Sequence, residues 1–156
     1  MRRSLQYLVI HCTATAAGRE VSAADIRRWH CSPVSAGGRG WKQVGYTDMI
    51  HLDGRVERLV RNNEDAWVDD WEVTNGAKGY NGVSRHIVYV GGVNADDQKK
   101  ARDTRTEAQK EALKQYVLDF HRRFPKVRIV GHYQLAAKVC PCFDVPKWLR
   151  EIGCDG

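Results

Sequence analysis

Gly131-His132-Tyr133-Gln134-Leu135-Ala136-Ala137-Lys138-Val139-Cys140-Pro141-Cys142-Phe143-Asp144 places an imidazole, an ammonium group and a thiol within nine residues. A segment that only builds core has little use for all three. The run before it, Val127-Arg128-Ile129-Val130, is short and β-branched and reads as a buried strand. His132 therefore emerges at a strand end and Cys140 from a loop. That placement suits an open metal site, because zinc accepts His nitrogen and Cys sulfur and a catalytic zinc keeps three protein ligands with a fourth position for water. The third ligand is found near the other end of the sequence, where His11 ends the strand-like run Leu5-Gln6-Tyr7-Leu8-Val9-Ile10. The competing reading makes His11 and His132 ordinary histidines and Cys140 a buried thiol. Residue types and spacing alone leave both open.

Working outward, 156 residues predict one α/β domain over 1–156, large enough to bury a core without staples. Five cysteines, an odd number with no C-x-x-C pair, read as reduced thiols with at most one serving as a ligand. Met1-Arg2-Arg3-Ser4 resembles the start of a signal peptide, but the apolar stretch after it ends at Ile10 and has no small-residue cleavage site. The expectation is a monomer made in the cytoplasm, without a signal peptide and without the roughly 20 apolar residues that span a bilayer. A net charge of +6 favours an anionic partner. Nucleic acid is not expected, since no recognition motif accompanies the charge. A zinc nucleobase deaminase is excluded, because the His-x-Glu and Pro-Cys-x-x-Cys elements are missing.

Along the chain, Val21-Ser22-Ala23-Ala24-Asp25-Ile26 has the form of a capped helix start, with Ser22 as cap and Val21 and Ile26 as a staple. Trp29 is expected in the core, with Arg27, Arg28 and His30 solvated. Val44 to Leu52 and Arg55 to Val60 read as a hairpin about Asp53-Gly54. Strict alternation puts Tyr46, Asp48 and Ile50 on one face of the first strand. Residues 62–82 read as a long polar loop whose tryptophans either line a ligand or pin the loop. Ser84 to Gly92 reads as a central strand, Thr106 with Gln109 as a capping box, and Asp144-Val145-Pro146 as the start of a last helix.

These residues also carry a resemblance. Val9-Ile10-His11-Cys12-Thr13-Ala14-Thr15, Gly40 to Tyr46, Leu52 to Glu57, Ala77-Lys78-Gly79-Tyr80-Asn81, Val90-Gly91-Gly92 and Gly131 to Asp144 occur in one order. Together they resemble the type 2 N-acetylmuramoyl-L-alanine amidases, in particular the short amidase lysozymes of bacteriophages, and the related peptidoglycan recognition proteins. The resemblance covers essentially the whole chain. It implies a central mixed β-sheet flanked by helices, with Zn2+ at the floor of a surface groove held by His11, His132 and Cys140. It further implies Tyr46 and Lys138 as catalytic residues. The implied reaction is hydrolysis of the amide between N-acetylmuramic acid and the L-alanine of the stem peptide, in the cell wall after release or in cytosolic wall fragments. The alternative is a non-catalytic peptidoglycan-binding module, against which Cys140 speaks, since such modules typically lack that ligand.

Some members of the family place a glutamate in the central strand, where this chain has Val88. A histidine common in the loop before Ala77 is replaced by Gly76, and the usual small residue in the strand is His86. Trp67, Tyr80 and His86 are accordingly expected to bind substrate, His86 in place of the missing loop histidine. Asp48 is expected to pair with His86 or Arg85 on a neighbouring strand, because an unpaired carboxylate on a buried face is costly.

Overall fold

The structure, a computed structural model, describes residues 2–97 and 99–154, so Met1 of the signal-like start lies outside the described residues. In chain order the elements are Arg2–Ser4 (β1), Tyr7–Cys12 (β2), Thr15–Ala16 (β3), Ala23–Cys31 (α1), Asp48–Ile50 (β4), Val56–Arg58 (β5), Trp67–Asp69 (β6), Ser84–Tyr89 (β7), Gly92–Val93 (β8), Glu107–Arg123 (α2), Arg128–Gly131 (β9) and Val145–Glu151 (α3). Five strands form the central sheet in the order β5-β4-β7-β2-β9. Four of them run parallel, and β5 turns back antiparallel on β4. The sheet is mixed, as the resemblance implies. Small two-stranded pairs, β1 with β6 and β3 with β8, lie beside it.

Parallel strands covered on both faces need apolar side chains on both, and β4, β7 and β2 supply them. Leu8, Ile10, Cys12, Ile50, Ile87 and Tyr89 pack towards Leu113, Val117 and Phe120 of α2 and Val145, Trp148 and Leu149 of α3. Met49, Val88 and Val90 face the other way, against Val21 and Ile26 at the start of α1. Each fully buried aliphatic or aromatic side chain contributes about 1.5–3 kcal/mol. His11 and His86 are out of phase with Ile10 and Ile87, so both project on the α1 side of the sheet.

The helix ends follow the sequence reading. Ser22 Oγ accepts the Asp25 N–H and the Asp25 carboxylate accepts the Ser22 N–H. Thr106 and Gln109 make the same reciprocal pair, and Asp144 accepts the Lys147 N–H. Gln109 does more, because its buried amide also donates to the carbonyls of Ile50 and Val90. It ties α2 to the sheet where β4 and β7 end.

Three expectations are corrected. The strand predicted over 44–52 is regular only at Asp48–Ile50, so alternation does not extend back to Tyr46. Tyr46 packs with Met49 and Val88, on the face opposite Ile50. Asp48 pairs with neither His86 nor Arg85. It accepts from Arg58 Nε at 2.6 Å and from the Tyr116 hydroxyl at 2.6 Å. The physical reason is register, since Arg58 lies directly opposite Asp48 in the hairpin. Arg85 instead donates to the Trp67 carbonyl and faces Glu72 and Asp65. Lastly, residues 62–82 are not structureless. They contain β6 and a short 3-10 turn at Asp70–Glu72, fastened by the buried Glu72 carboxylate, which accepts the N–H groups of Asn63 and Asp69.

Candidate metal centre

β2 and β9 lie side by side in parallel, with Ile10 opposite Gly131. A histidine follows in each case, His11 within β2 and His132 just past the end of β9, and the two rings stand with centroids 4.7 Å apart. A glycine is required at 131, because a Cβ there would come within 2.7 Å of the Tyr133 ring and 2.9 Å of Val145. The chain then makes a 3-10 turn at His132–Gln134 and returns. The Tyr133 N–H donates to the Cys140 carbonyl and the Tyr89 hydroxyl to the Pro141 carbonyl. This return delivers Cys140 to the end of β2, where its Sγ accepts the Cys12 N–H at 3.1 Å and lies 3.8 Å from His11 Nδ1. One donor atom each from His11, His132 and Cys140 falls within 4.8 Å of the others. A tetrahedral zinc with bonds of ~2.0–2.3 Å holds its ligand atoms about 3.5 Å apart. The donor set and its spacing fit that ion.

These side chains open into a cavity of about 330 Å³ that also takes in Tyr46 and Lys138. The Tyr46 ring is 5.2 Å from the His11 ring. Lys138 is exposed on the rim, between this cavity and a larger depression of about 640 Å³ bordered by Val139, Phe143 and Asp144. The structure therefore brings together all five residues expected to hold metal or act on the bond.

Over residues 1–143 the sequence matches the family described as N-acetylmuramoyl-L-alanine amidase. This chain belongs to that family. The endolysin of Enterobacteria phage K11 is 33% identical to this amidase over 149 residues, covering 96% of the chain and 88% of the relative. The endolysin of Escherichia phage T7 is 33% identical over 150 residues, covering 96% and 89%. Among solved structures, the Ph2119 endolysin from a Thermus scotoductus bacteriophage superposes with a TM-score of 0.70 at 26% identity, over 97% of this chain and 86% of the other.

The electrostatics of the amidase site follow from its burial. His11 is held well below the ordinary imidazole range by burial first and by the neighbouring His86, His132 and His30 next. His132 is lowered by burial and by the Lys138 charge. Both are thus neutral bases near neutrality, as a metal ligand must be. Burial, followed by the sulfurs of Cys140 and Cys12, pushes the Tyr46 phenol well up, so it keeps its proton. Cys12 is pushed up to about 12, chiefly through its hydrogen bond with Cys140, and Cys142 is raised chiefly through its contact with Cys12. These two remain thiols near neutrality.

Three expected substrate contacts are not at this cavity. Trp67 lies on β6, 42% exposed, with the Arg2 guanidinium stacked above it. Tyr80 stands edge-on to Tyr7, the first residue of β2. At about 3.3 Å per residue, that is roughly 13 Å along the strand from His11. His86 is fully buried and faces His11 rather than the opening. Conversely, the sequence reading left His30 solvated and put Trp29 in the core. His30 is buried, accepts the Gly45 N–H at Nδ1, and packs against Tyr46 with centroids 5.3 Å apart. Trp29 is half-exposed, packing in part against the Ile26 cluster as expected and in part lining the cavity. The signal was present, since His30 is four residues after Ile26 and shares its helix face.

Proposed function

We propose that this amidase, acting as one domain over its whole length, cleaves the bond between the lactyl group of N-acetylmuramic acid and L-alanine in a zinc-dependent reaction. The convergence of His11, His132 and Cys140 beside Tyr46 and Lys138 in one open cavity supports this reading. His11, His132 and Cys140 would hold the zinc, which when bound would supply Lewis acidity towards the amide carbonyl and a water of lowered pKa. Lys138 brings a positive charge to the rim of the cavity, where it stabilises negative charge developing on the carbonyl oxygen. Tyr46, protonated and packed against His11 and His30, orients the attacking water and relays the proton that water gives up to the departing amine, ending protonated again. Val88, opposite His11 in the sheet and fully buried, carries no carboxylate for this work.

Its relatives named endolysins favour intact peptidoglycan over soluble fragments as the substrate. The test is to incubate purified cell walls with the protein and follow both turbidity and the appearance of new L-alanine amino groups, with metal analysis of the same preparation. About one zinc per chain, lysis, and alanine amines in step with it are expected. Walls that clear without new alanine amines, or that clear equally fast after zinc is stripped, overturn the reading.

A further inference from the structure

His86 does not touch the cavity, yet its surroundings are hard to explain as packing. It is 0% exposed, in the middle of β7, and its Nδ1 lies 2.8 Å from His11 Nε2. Its own Nε2 has no hydrogen-bond partner among the described residues. Leaving a buried polar group unpaired is destabilising, so a side chain serving only to fill this space is better apolar, as Val88 is two residues on. The backbone has also been cleared for the ring. A Cβ on Gly76 would come within 2.6 Å of His86 Nδ1 and 2.7 Å of the Gly45 carbonyl.

The contact matters because a neutral imidazole has one N–H. If His11 donates from Nε2 to His86 Nδ1, the lone pair on His11 Nδ1 is free, and that atom is the one 3.8 Å from Cys140 Sγ. If the bond runs the other way, the proton of His11 sits on Nδ1 and closes it to a metal ion. A metal-bound histidine commonly gives its second N–H to a fixed acceptor, and losing that acceptor typically costs 10–100-fold in metal affinity.

The geometry points to His86 as a positioning residue that accepts the His11 Nε2–H and so presents His11 Nδ1 to the metal. This rests on the metal-centre reading above. Its role is indirect, acting only through His11. It replaces the direct substrate contact that the sequence reading assigned to it.

The test reads the tautomer and the metal rather than turnover. In metal-free protein, a two-bond proton–nitrogen spectrum of the imidazoles is expected to show His11 protonated at Nε2. Zinc affinity is then measured by competition with a chromophoric chelator. His86→Val, which fills the site without an acceptor, is expected to weaken zinc binding 10–100-fold and to mix the His11 tautomers. His86→Asn, whose amide oxygen can stand where Nδ1 stands, is expected to hold zinc close to the wild-type level. His11 protonated at Nδ1 in the wild type, or folded His86→Val binding zinc as tightly as the wild type, overturns the proposal. If His86→Val does not fold, the wild-type tautomer and His86→Asn still decide. A wild type that binds no zinc sinks the metal-centre reading instead, and the tautomer spectrum then decides the role of His86 alone.

Discussion

Cys140 and Lys138 are two residues apart, and their substitutions separate affinity from rate. Cys140→Ala and His11→Ala each delete a donor atom, so metal retention and wall lysis are expected to vanish together, read by metal analysis and turbidity on one sample. Lys138→Ala and Tyr46→Phe leave the three donors intact. Each is expected to keep the metal and lower the turnover rate by about 10²–10³, the usual cost of removing one group that stabilises developing charge. Asp48 calls for a stability measurement instead. It is 2% exposed and held by Arg58 and Tyr116. Asp48→Ala is expected to cost about 2–3 kcal/mol in denaturant unfolding, less than the ~3–5 kcal/mol of a fully buried pair because Arg58 keeps part of its water. At this scale the convergence of His11, His132 and Cys140 was legible because imidazole and thiol at strand ends are chemically conspicuous. The partner of Asp48 was not legible, since counting symmetrically back from a two-residue Asp53-Gly54 turn places Leu59 opposite it, whereas the hairpin closes over Leu52-Asp53-Gly54 and brings Arg58 there. The wrong partner came from looking to the next strand over. His86 was singled out for the wrong reason, because whether a strand residue faces a cavity or a neighbouring ring depends on depth, which one sequence does not state.

Among the elements, α2 is held at its start by a cap that also reaches the hairpin. Thr106 Oγ1 accepts the Gln109 N–H and donates to the Leu52 carbonyl. Thr106→Ala is therefore expected to cost about 1–2 kcal/mol, the upper part of the range for lost caps, measured as a lower denaturation midpoint with an unchanged slope. Capped helices were the most readable elements, because a cap is a local bargain between residues three apart. β6 was not readable. It has only three residues, and it pairs with β1 more than sixty positions earlier, with Trp67 opposite Ser4. No local pattern announces such a partner. The fastening of residues 62–82 by Glu72 was hidden likewise, since a glutamate in a polar segment looks solvated until Arg85 is seen beside it.

For the whole molecule, acid is the natural stress. His30 is lowered from 6.5 to about 4, by burial first and the Arg39 charge second. Between those values an unfolded chain binds a proton that the folded one refuses, so stability falls as pH drops through that window. His86, lowered to about 3 by burial and by His132, extends the loss further down. The melting temperature of metal-free protein is expected to decline steadily from about pH 6.5 to pH 4. His30→Asn, which keeps an acceptor for the Gly45 N–H but cannot titrate, flattens the upper part of that decline. A melting temperature level across the window in the unsubstituted protein contradicts this. The surface carries its own dependence. With a net charge of +6, association with anionic walls is expected to weaken as salt shortens the range of attraction, seen as slower lysis at rising ionic strength. The clearance at Gly76 reaches beyond folding, into heredity. With the imidazole already in the strand, a lineage that gains any side chain at 76 forces two atoms into the same space. If the ring is lost first, a hole opens behind the metal donor. Either single step is a descent, so a histidine at 76 is reached only across a valley, and close kin are expected to carry the two positions as a pair.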